Sequence, residues 1–119
     1  MNFKEIKQKL KTLNLKEKEL GYYAQNGECI LYDDDRGEEI EIDVVGLLEE
    51  NFGKVNVVET SYFHDGYECW CVYDFKEHNV CIKIEGYFSS YDDTEWSRMF
   101  EVFPEEKTIT VYNEKPRKK

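Results

Sequence analysis

The chain has no apolar run near the roughly 18–20 residues that cross a bilayer. Its charged amino-terminal stretch (MNFKEIKQKLKTLNLKEKEL) carries no apolar core of the kind a secretory signal needs. It also lacks an excess of cations: 16 Lys+Arg stand against 26 Asp+Glu, a formal charge of −10 at pH 7. The first two absences set the expectation of a cytoplasmic protein with no membrane partner. The third argues against direct nucleic-acid binding, because polyanion affinity comes largely from lysines and arginines that displace counterions. Neither G-x-G-x-x-G nor G-x-x-x-x-G-K-[ST] occurs, so a nucleotide phosphate loop has no support and no cofactor is expected. The four cysteines, Cys29, Cys69, Cys71 and Cys81, have no framework spacing, and thiols are expected in place of disulfides.

What is present is a folding chain. Its 119 residues fit one domain spanning 1–119 and are enough for a core without staples. Aromatics make up 15% of it, far richer than an acidic disordered chain. The charge is unevenly placed. Residues 1–20 hold six Lys and three Glu (6 − 3 = +3), and the basic tail 115–119 (KPRKK) adds +4. The remainder, 21–114, holds 6 basic and 23 acidic side chains, or −17.

Residues 1–26 read as a helical segment. Phe3, Ile6, Leu10 and Leu13 recur at helical spacing and predict a helix over 3–13. Asn14, with Glu17 at the capping-box position, is the expected start of a second helix, which Asn26-Gly27 ends. Cys29–Tyr32 and the alternation at Ile40 and Ile42, around the turn Asp33–Gly37, predict a hairpin. Asp43 caps an expected helix over 44–52 that Gly46 weakens and Gly53 stops. Strands are expected at 54–62, 67–75, 80–88, 99–103 and 107–112, joined by short turns that favour a meander. The fold expectation is therefore α+β: amino-terminal helices packed on an antiparallel sheet of four or five strands.

Strand 67–75 carries apolar bulk on both faces, with Trp70 and Val72 opposite Cys69, Cys71, Tyr73 and Phe75. The second face is expected to be covered by 88–98 or by a partner.

Cys69 and Cys71 point the same way, and with Cys29, Cys81, His64 or His78 they offer soft ligands for zinc. The spacing favours ordinary core thiols, and no metal is expected. His64 and His78 lie at opposite ends of a strand spanning roughly 25–30 Å, so they do not share a site. A small enzyme using His64, Asp65 and a cysteine is one alternative function. The acids Asp33-Asp34-Asp35 and Asp92-Asp93-Glu95 lack the central glycine and distant glutamate of a calcium loop, and read as turn chemistry. Tyr87, Phe88, Tyr91 and Trp96 crowd around Asp92, Asp93 and Glu95, with Tyr62, Phe63 and Tyr67 near Asp65 and Glu68. Aromatics supply contact area and carboxylates select a basic surface. Tyr87, Tyr91, Asp92, Asp93, Glu95 and Trp96 are therefore the candidate protein-binding residues. No catalytic residue is assigned.

The segment Cys81–Asn113, with IKIEGYFSSYDDTEW followed by FEVFPEEKTITVYN, resembles a C-terminal module of small acidic proteins of phages and mobile elements. The resemblance covers about a quarter of the chain. It implies an inhibitor of a host protein, in the manner of anti-CRISPR proteins, acting in the host cytoplasm. The leading expectation is a non-enzymatic, acidic protein-binding module that inhibits a basic nucleic-acid-processing host protein. A folded negative surface suits that role because it competes for a groove built to receive phosphates. A homo-oligomer, a dimer at its simplest, formed through Trp70, Val72 and the aromatics, is the other alternative.

Overall fold

A computed structural model describes residues 1–63, 66–89 and 94–104. The order is α1 (Phe3–Thr12), α2 (Glu17–Asn26), β1 (Cys29–Asp33), β2 (Glu38–Ile42), α3 (Val44–Phe52), β3 (Val55–Thr60), β4 (Tyr67–Phe75), a 3-10 turn (Lys76–His78), β5 (Val80–Phe88) and β6 (Glu95–Val102). β1 and β2 form a separate antiparallel ribbon, and β3-β4-β5-β6 form a four-stranded antiparallel meander. The expected strand at 107–112 and the basic tail 115–119 lie outside the described residues.

The capping box sits one helix earlier than the sequence suggests. Asn2 accepts from the Glu5 amide at 2.9 Å and the Glu5 carboxylate accepts from the Asn2 amide at 3.1 Å, so the box opens α1. Asn14 ends that helix instead of starting the next. It takes the left-handed conformation (φ 59), the Asn14 amide donates to the Lys11 carbonyl at 3.1 Å and the Leu15 amide to the Leu10 carbonyl at 2.9 Å. This is a Schellman closure, and its apolar contact is supplied by Leu10 and Leu15, both buried. α2 then begins at Glu17, and its N-cap residue Lys16 makes no side-chain capping bond. α3 has the expected bounds, with Asp43 Oδ1 accepting from the Gly46 amide at 3.0 Å.

Core and pleat agree along the central strands. Cys69, Cys71, Tyr73 and Phe75 of β4 and Val80, Ile82 and Ile84 of β5 are buried on one face, which α2 covers as it packs across β4, β5 and β6. The buried Tyr73 hydroxyl donates to the Leu20 carbonyl, tying the sheet to α2 and satisfying a polar group inside the core. At the far end, the His78 ring joins the start of α1 to the end of α3: Nδ1 lies 3.0 Å from the Met1 ammonium and Nε2 lies 2.9 Å from the Phe52 carbonyl. An ammonium only donates and a carbonyl only accepts, so these partners select the Nε2–H tautomer.

Candidate protein-binding surface

Residues directly opposite one another in a sheet share a face, so the strand register lays out the second face of the meander row by row. Glu68 of β4, Tyr87 of β5 and Glu95 of β6 form the row nearest the 66–67 end. The next rows are Trp70, Glu85 and Arg98, then Val72, Lys83 and Phe100, then Asp74, Cys81 and Val102. Helices α2 and α3 pack on the other side. Segment 95–98 is not a cover, since it is part of β6 and lies in the plane of the sheet.

The middle of this open face satisfies itself. Lys83 Nζ lies 4.7 Å from the Trp70 ring centroid and Arg98 Cζ 4.8 Å from that of Phe100. Both cations share one carboxylate: Arg98 is 3.1 Å from Glu85 Oε1 and Lys83 is 4.0 Å from Glu85 Oε2. Each cation thus shields an aromatic face from water while its charge is balanced by Glu85. The outer row has no such partner. Among the described residues, Glu68 and Glu95 have no cation within ion-pair distance, and Tyr87 between them is 49% exposed. Tyr67, at 67%, is exposed at the same end of β4, but it pairs with Phe88 and so alternates to the opposite face.

The six expected contact residues therefore divide. Tyr87 and Glu95 are exposed neighbours on one row. Tyr91, Asp92 and Asp93 lie outside the described residues. Trp96 is a correction: it is 9% exposed and belongs to the core. The cause is a bulge in β6, where Glu85 pairs with Arg98 but Gly86 pairs with Trp96, leaving Ser97 as the extra residue. The bulge lets Trp96 and Met99, three apart, both point inward. Glycines make the slot for the indole: a methyl group at Gly21 of α2 would overlap the ring, and one at Gly86 would press on Trp96 and on the Glu95 carbonyl. Phe63 completes the surround with edge contacts to Trp96 at 6.1 Å and Phe88 at 6.0 Å between centroids. The indole Nε1 is buried with no hydrogen-bond partner among the described residues.

All four cysteines are free, and Cys29, Cys69 and Cys71 are buried. Burial pushes the Cys69 thiol up to about 11 and, with Cys69 beside it, the Cys71 thiol up to about 12. Both stay protonated near neutral pH, the state in which a thiol is neither nucleophile nor metal ligand. Cys81, on the open face, is also raised, by burial and by Asp74, whose Oδ1 is 3.7 Å from its sulfur. Among the described residues no group of three or more His, Cys, Asp or Glu is placed to hold a metal ion. His64 and Asp65, the pair named for an enzymatic site, lie outside the described residues. No described helix is long and apolar enough to cross a membrane.

The cation-on-aromatic pairs are not legible in the sequence, because only the register reveals that Lys83 and Trp70 sit on adjacent rows of one face. Comparison with family models, with curated proteins and with solved structures returns no match.

Proposed function

We propose that the chain is a non-enzymatic protein-binding module whose partner presents a basic surface, acting in a host cytoplasm as an inhibitor of a nucleic-acid-processing protein. The observation that carries this reading is the Glu68–Tyr87–Glu95 row: an exposed aromatic ring flanked by two carboxylates with no cation of their own among the described residues. Tyrosine supplies rigid contact area at small entropic loss, and the glutamates steer a cationic partner to it. The charge of −17 over residues 21–114 favours the same class of partner. The protonated core thiols weigh against a cysteine nucleophile at positions 69 and 71.

The test is affinity capture from the cells in which the chain is made, run with the unaltered chain and with Glu68→Lys/Glu95→Lys at low and high salt. A partner lost both in the variant and at high salt supports the reading; a partner held equally in all arms overturns it.

A second reading, self-association, is favoured by one observation: Trp70, Val72, Phe100 and Val102 line a sheet face on which neither α2 nor α3 packs. Solution mass across a concentration series separates it from a monomer that binds another protein.

A further inference from the structure

The β1–β2 ribbon holds a second surface that the reading above does not use. Its register sets Leu31 against Ile40 and Cys29 against Ile42 on the inward face. On the outer face Ile30 lies opposite Glu41 and Tyr32 opposite Glu39. Two apolar side chains are thus left in water, Ile30 at 44% and Tyr32 at 63% exposure, on a ribbon of only two strands. They are not scattered: Ile30, Tyr32 and Glu39 line one cleft of about 440 Å³ with Tyr22, Glu28 and Lys18. Tyr22 is a fixed wall, since its hydroxyl donates to the Thr94 carbonyl at 3.0 Å.

The charge around the cleft is one-sided. Residues 28–42 contain seven acids and a single base (1 − 7 = −6). That base, Arg36, is engaged at the turn, 3.7 Å from Asp33 and 3.8 Å from Glu38. Lys18 is the one cation in the cleft lining, which it shares with Glu28 and Glu39.

We infer that this cleft receives a cationic segment of another protein, an apolar side chain flanked by arginine or lysine. The apolar side chain covers Ile30, a guanidinium or ammonium group rests on the Tyr32 or Tyr22 ring, and Glu28, Glu39 and Glu41 select the flanking charges. An anionic or neutral occupant is disfavoured by the same carboxylates. This inference has its own residues and does not depend on the Glu68–Tyr87–Glu95 row.

The test is titration of the full chain with a short synthetic peptide alternating arginine and leucine, followed by backbone amide shifts. The matching peptide with serine in place of leucine is the control. The expected result is saturable shifts at Ile30, Tyr32, Glu39 and Glu41, weaker binding of the serine peptide, and an affinity loss of about tenfold in Tyr32→Ala. Glu39→Lys/Glu41→Lys gives a comparable or larger loss in the shifts of Ile30 and Tyr32, which report this cleft. Ile30→Ser gives the same reading should Tyr32→Ala fail to fold. Equal binding of the two peptides, shifts spread over all acidic positions, or retention of full affinity in Tyr32→Ala and Ile30→Ser would overturn the inference. So would concentration-dependent shifts of the same amides without peptide, which would make a second copy of the chain the occupant.

Discussion

The two faces of the meander are built from the same strands and obey different physics. Toward α2, β4 and β5 present Cys69, Cys71, Tyr73, Phe75, Val80, Ile82 and Ile84, all buried, and what matters there is volume. On the open side the same strands present Trp70, Val72, Lys83, Glu85 and Tyr87, and what matters is pairing: cations on rings, one carboxylate shared by two cations. On the proposed reading, the difference separates folding from recognition within one sheet. Changes on the first face should alter stability by several kcal/mol, and changes on the second should alter binding while leaving stability nearly intact.

The strongest way to break this comparison is at the Trp96 slot. Trp96→Ala should destabilise by about 3–5 kcal/mol, through lost burial and the cavity left between α2 and β5. Gly21→Ala should cost about 1–3 kcal/mol, because the indole has nowhere to move without shifting the helix. Denaturant unfolding measures both. A Gly21→Ala chain as stable as the unaltered one would show that α2 does not seat on Trp96.

The next prediction concerns pH. Burial raises Cys71 from its ordinary 9.0 to about 12, so the folded chain holds this proton more tightly than the unfolded one. A raised folded value means the stabilisation is complete below 9.0 and is lost as pH rises toward about 12. The unfolding midpoint should therefore fall across that alkaline window, and the fall should be shallower in Cys69→Ala/Cys71→Ala when each chain is referred to its own value at neutral pH. An equal slope in both chains would place the alkaline sensitivity elsewhere.

The smallest effect is expected on the open face. Arg98→Ala should change stability by no more than about 1 kcal/mol, since Arg98 is well exposed and its bond to Glu85 is screened by solvent. Added salt should shrink the difference further. A loss of several kcal/mol would mean that this face is covered in the folded protein.

Much of the fold is legible in the sequence because the pattern and the physics coincide. The pleat of β5 follows from the alternation of Val80, Ile82 and Ile84 with Cys81, Lys83 and Glu85, and the bounds of α3 follow from Asp43 and Gly53. What is not legible depends on a partner elsewhere in the chain. Asn14 suits a helix start or a left-handed helix end about equally, and the Leu10–Leu15 contact selects the latter. The candidate surface was half legible. Tyr87 and Glu95 fall on one exposed row, but alternation from Met99 sets Trp96 on the opposite face from Met99, toward solvent. Only the bulge at Ser97 turns it in. Gly21 and Gly86 are the local signs of that slot, yet their pairing across 65 positions (86 − 21) has no sequence period to announce it.

Binding at the open acidic end of the sheet, with folding carried by the opposite face, can be read from the salt dependence of partner affinity in Glu68→Lys/Glu95→Lys. The variant should fold and bind at least about tenfold more weakly at low salt, with slower association and a flatter salt response than the unaltered chain. An equally stable variant with the same affinity and the same salt response would contradict it.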